Sequence, residues 1–80
     1  MLTPTAEMLI ARADLFVSQQ RAEEALADLE LAIQKEPGAI NAWVALSNVY
    51  RERDEDMRAE QILVSLQNRF PSFGYEPQNR

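Results

Sequence analysis

The sequence predicts an all-α fold: four helices arranged as two antiparallel hairpins stacked one on the other. Three observations carry this. Apolar residues recur at i, i+3, i+4 and i+7 along most of the chain, as in Ala42 to Tyr50, where Trp43, Leu46 and Tyr50 share one face. No stretch alternates apolar and polar residues with the period of two that a half-buried strand requires. The chain also resembles itself at a fixed offset of 34 residues: Leu9 matches Trp43, Ala13 matches Ser47, Phe16 matches Tyr50, Ala25 matches Ala59, Leu29 matches Leu63 and Pro37 matches Pro71. Large, small, aromatic and proline positions held at one period mark an internal repeat.

The elements follow in order. Thr3-Pro4 reads as a helix start, with Thr3 as the N-cap and Pro4 at the first helical position, where its missing N–H is harmless. The first helix is expected from Ala6 to about Ser18, with Leu9, Ala13 and Phe16 as its stripe, Ala6 and Ile10 beside it, and Glu7 in the first turn. Gln19-Gln20-Arg21 breaks the pattern. A second helix is expected from about Ala22 to Lys35, burying Ala22, Ala25, Leu26, Leu29, Ala32 and Ile33. Pro37 ends it by disfavouring helical geometry at Glu36. The third helix is expected from about Ile40 to Glu52, the turn at Arg53-Asp54-Glu55-Asp56, and the fourth helix from about Asp56 to Arg69, closed by Pro71. This divides one small domain into a first repeat over about 6–39, a second over about 40–73 and a tail at 74–80. Ala13, Ala25, Ser47 and Ala59 are small enough to let paired helices approach closely. Leu9, Phe16, Trp43 and Tyr50 are expected to fill the seam between hairpins, because neither hairpin alone can bury its apolar face.

These residues resemble two tetratricopeptide repeats, whose pattern places an aromatic, a Leu, a small residue and a Tyr on the first helix, and an Ala and a terminal Pro on the second. Trp43, Leu46, Ser47, Tyr50, Ala59 and Pro71 carry the resemblance in the second repeat. Leu9, Ala13, Phe16, Ala25 and Pro37 carry it in the first, where Arg12 replaces the Leu and points to an exposed N-terminal end. The resemblance covers about residues 6 to 73. It implies a short right-handed α-solenoid and a protein–protein interaction module, an adaptor or assembly factor. It also implies a concave groove lined by the first helix of each pair: Glu7, Ile10, Asp14 and Val17, then Asn41, Val44, Asn48 and Arg51. Ile10, Asp14 and Val17 do share a helix face by spacing. Such a groove suits an extended or helical peptide with some basic character. In the competing reading, Ile10 and Val44 merely complete the packing between helices. The Lys, Asn and Arg clamp by which some family members grip a C-terminal carboxylate is replaced here by Ile10, Asp14 and Ala45, so that role is disfavoured.

Composition excludes several other classes. There are no cysteines and no histidines, so thiolate ligands, disulfides and the commonest general base are missing. A net charge of −5 argues against nucleic acid and anionic membrane as partners. No apolar run reaches the roughly 20 residues of a membrane span, and no signal peptide is visible, so a soluble, cytoplasmic chain is expected. Glu23-Glu24 and Asp54-Glu55-Asp56 are paired carboxylates, but both fall at helix starts, where acids are stabilising. The second set lacks the glycine and distal Glu of a calcium loop. Gly38 and Gly74 are the only glycines, so no phosphate loop exists. An enzyme, a metal and a cofactor are not expected.

The two second helices differ in an informative way. Glu23, Asp28, Glu30 and Glu36 become Met57, Ile62, Val64 and Phe70 at the same offset. Ile62 and Phe70 are expected to widen the buried face beside Ala59, Leu63 and Leu66, whereas Met57 and Val64 point to the opposite side. Three occupants suit the added surface: the tail folded back through Phe73 and Tyr75, a second copy forming a homodimer, or a partner or further repeat. Tail packing is preferred. Dimerisation through the fourth helix and tail is the alternative to the adaptor reading.

Overall fold

The computed structural model describes residues 3–71. Four helices occur in the order α1 (Ala6–Ser18), α2 (Ala22–Lys35), α3 (Ile40–Glu52) and α4 (Asp56–Arg69), and no strand is present among the described residues. α1 packs on α2 and α3 on α4. α3 also lies across α2 and touches α1, while among the helices α4 contacts α3 alone. Two helical hairpins therefore stack through α3.

The start of α1 differs from expectation. Thr5, not Thr3, is the N-cap: its backbone is extended and its Oγ1 accepts the Met8 N–H at 3.2 Å. Pro4 precedes the cap and does not sit at the first helical position. Only a hydroxyl at position 5 faces the free N–H of the third helical residue, which decides between the two threonines.

Both hairpins turn the same way. Among the described residues, Gln20 and Asp54, 34 residues apart, are the non-glycine residues with positive φ, at 61° and 64°. Each follows a helix end. Arg21 N–H donates to Phe16 O at 2.8 Å and Gln20 N–H to Val17 O at 2.9 Å; Glu55 N–H donates to Tyr50 O at 2.9 Å and Asp54 N–H to Arg51 O at 3.0 Å. This is the Schellman arrangement, in which a left-handed residue lets the chain satisfy the last carbonyls of the helix and then reverse. α2 and α4 end differently, at Glu36 and Phe70, whose ψ of 84° and 73° has left the helical region because each precedes a proline.

The core joining the hairpins contains Leu9, Ala13, Ala25, Leu29, Ala32, Ala42, Leu46, Val49, Tyr50 and Ala59. Ala25, Ala32 and Ala42 are completely buried, as close helix crossings require. Buried Ser47 satisfies its hydroxyl by donating to Val44 O at 2.8 Å. Trp43 is buried at 8% exposure, but its partners are not those expected at the seam. Its Nε1–H donates to Pro37 O in the α2–α3 linker at 3.1 Å, and the Arg69 guanidinium of α4 lies 5.4 Å from its ring. The indole needs an acceptor when buried, and the carbonyl next to Gly38 is within reach. Leu9 and Tyr50 do join the core linking the hairpins, as expected, with Leu46 and Val49 beside them. Phe16 is only half-buried, with Arg21 at 4.9 Å from its ring.

Asp28 is also buried, at 6% exposure, on a helix face expected to be apolar. Arg12 of α1 holds it with two hydrogen bonds, Nε to Oδ2 at 2.8 Å and Nη2 to Oδ1 at 2.9 Å. The positions 34 residues later hold Leu46 and Ile62. A bidentate ion pair in the first repeat thus replaces an apolar pair in the second, which satisfies an otherwise costly buried carboxylate.

Candidate interaction groove

The inner face is built by α1 and α3, which lie side by side because α3 is buried against both helices of the first hairpin. Glu7, Ile10, Asp14 and Val17 recur every three or four residues and so form one edge of α1. Asn41, Val44, Asn48 and Arg51 stand at the same offsets on α3. The structure divides these residues between two cavities. Ile10 and Asn41 line one of about 370 Å³, together with Glu7, Glu36 and Gly38. Asp14, Val17 and Asn48 line a second of about 180 Å³, floored by Ala13, Leu29, Ala45 and Val49, with Glu52 at its edge. Val44 is half-buried on α3 at the level between them. Arg51 is exposed and donates to Asn48 Oδ1 at 3.3 Å, which orients that amide.

Glu36 and Glu52 were not anticipated. Glu52 lies one turn beyond Asn48, so helical spacing alone would have found it. Glu36 comes from the end of α2 and reaches the groove only because Pro37 turns the chain there. Together with Glu7 and Asp14 they give each cavity two carboxylates. Among the described residues none of these four has an ion-pair partner. The ion pairs of the described residues lie elsewhere: Arg12 with Asp28, Arg21 with Glu24, Arg53 with Glu23 and Glu55, and Arg58 with Glu55. The hydrogen bond from Arg21 holds the Glu24 carboxyl below its ordinary value of 4.5.

The expected α4 surface is dispersed. Met57 and Val64 are exposed and share a cleft of about 530 Å³ with Glu60, Gln61 and Ser65. Ile62 is half-buried against the core on the far side of the helix, and Phe70 is half-buried at the helix end. Phe73 and Tyr75 lie outside the described residues. No group of three or more metal-ligating side chains occurs among the described residues, and no helix of theirs is long and apolar enough to cross a membrane.

Stacked helical hairpins with an open inner groove define the class: a helical-repeat protein-interaction module. The chain belongs to the tetratricopeptide repeat family, whose model matches residues 16–74. No curated protein and no solved structure matches it. Repeats of this family bind proteins or peptides and are usually non-enzymatic.

Proposed function

We propose that the chain is an adaptor or assembly factor that holds a basic segment of a partner protein in its inner groove. The observation that carries this is the pair of carboxylates at each of two cavities, with no cation of the described chain paired to any of them. Glu7 and Asp14 are seven residues apart on α1, which sets the acidic sites about 10 Å apart along the helix. Three residues of chain in the polyproline II conformation, one full turn at about 3.1 Å per residue, span about the same distance and return to the same side. The preferred ligand therefore carries two Lys or Arg residues three positions apart, with an apolar residue between them over Ile10 and Val44.

Isothermal titration with such a peptide tests the reading. The parent chain should bind it and reject the Lys-to-Glu counterpart. Asp14→Lys should abolish binding with helicity unchanged, and added salt should weaken the parent complex. Equal affinity of parent and Asp14→Lys for the basic peptide would place binding outside the groove.

A further inference from the structure

The junction between the hairpins can be read as a template for the two ends. α3 presents Ala42, Leu46 and Val49 to the first hairpin, all buried to 4% exposure or less. α2 meets it with the stripe Ala22, Leu26, Leu29 and Ile33, which faces away from the Arg12-bound side of the helix. The register is antiparallel, with Arg53 Nη2 lying 3.7 Å from Glu23 Oε2 at one edge. Shifting by one repeat gives the corresponding faces of α1 and α4. On α1 the three receiving positions hold Met8, Arg12 and Leu15; on α4 the stripe holds Asp56, Glu60, Leu63 and Gln67.

The substitutions at the two ends are complementary. Leu46 is replaced by a cation at Arg12, while Ala22 and Leu26 are replaced by anions at Asp56 and Glu60. A cap made only to face water would be polar throughout. Yet Met8 and Leu15 flank Arg12 at 58% and 56% exposure. Arg12 uses two of its five N–H donors on Asp28, so donors are left for a second carboxylate.

We propose that the chain associates head to tail, α1 of one copy lying on α4 of the next and continuing the contact that α3 makes on α2. Met8 and Leu15 cover Leu63 of the other copy, and Arg12 reaches its Glu60. Such a contact is heterologous and does not close, so it builds open chains rather than a two-fold dimer. One helix face and exposed charges make it weak and sensitive to salt. The inner groove lies on other edges of α1 and α3 and stays open. The Met57–Val64 cleft meets the contact only at its Glu60 border: Met57 and Val64 match Glu23 and Glu30, which sit at the rim of the internal junction or outside it.

Sedimentation equilibrium of the full chain tests this. The mean mass should rise with concentration past twice the 9.1 kDa of one chain, without a plateau there. It should fall as salt is raised from about 0.01 M to about 1 M, where screening shortens from about 30 Å to about 3 Å. Glu60→Arg blocks only the α4 end and Leu15→Glu only the α1 end, both at exposed positions, so each variant should stay monomeric with unchanged helicity. Mixed in equal amounts, they should form a 1:1 pair that grows no further. A chain that is monomeric at every concentration, a plateau at two chains, or a mixture that stays monomeric would each overturn the proposal. So would association that survives Glu60→Arg but is lost in Val64→Glu. Peptide binding in the groove should be unaffected by Leu15→Glu, so failure here leaves the groove reading standing.

Discussion

Leu29 and Leu63 are the same residue at the same place in the two repeats, and replacing each by Ala should give very different losses. Leu29 is completely buried, enclosed by α1 on one side and α3 on the other. Leu63 is half-buried, because among the described helices α4 packs on α3 alone. Truncating Leu29 removes about three buried carbon groups at about 0.8 kcal/mol each, and the space left between packed helices adds to this. The expected cost is about 3 kcal/mol. The same change at Leu63 gives up less burial and leaves a dent open to water, so about 1 kcal/mol is expected. For a domain of this size each kcal/mol moves the melting point by about 4–8 °C. Leu29→Ala should therefore melt roughly 12 °C or more below the parent, and Leu63→Ala only about 4–8 °C below. Urea titrations followed by far-UV circular dichroism at low protein concentration measure both, and the slopes should match the parent. Equal losses at the two sites would refute the reasoning, because they would mean that α4 is enclosed as α2 is.

Thr5→Ala should destabilise the chain by about 1 kcal/mol through loss of the cap, and Thr3→Ala by a few tenths at most; thermal melts of both variants distinguish the two threonines. Gln20→Gly and Asp54→Gly should each raise stability by about 1 kcal/mol, since glycine adopts the left-handed conformation without the steric cost borne by a side chain. Carbon-detected NMR titration should place the Glu24 carboxyl below its ordinary pKa and return it upward in Arg21→Ala. Because the folded value is the depressed one, this contribution to stability is complete above about pH 4.5 and disappears as the pH falls through the folded value. The double variant Arg12→Leu with Asp28→Ile, which copies Leu46 and Ile62, should fold at least as stably as the parent, whereas Arg12→Leu alone should be weaker; paired melts compare them.

Helix extents were legible because each end carries a local signal. Pro37 and Pro71 stop α2 and α4, and polar tripeptides stop α1 and α3. The shared edge of α1 was legible for a related reason, since helical spacing aligns Ile10, Asp14 and Val17 without reference to anything distant; their division between two cavities was not. What escaped sequence reading depends on contacts between elements. Asp28 interrupts an apolar stripe, and its partner lies 16 residues away on another helix. Trp43 has the residue type of a seam, but its N–H is drawn to the linker carbonyl of Pro37. Glu36 enters the groove only through the path of the chain after α2. The choice between Thr3 and Thr5 rested on one hydroxyl position that the Pro4 between them obscured.

Trp43 is the sole tryptophan of the chain, and it is tied to the linker between the two hairpins. Its emission is thus a built-in optical gauge of that linker. If the hairpins part before their helices melt, fluorescence will redden while ellipticity holds; if they cannot part, the two signals will move as one. A single cuvette can therefore report whether the duplicated halves live as one cooperative unit or as neighbours.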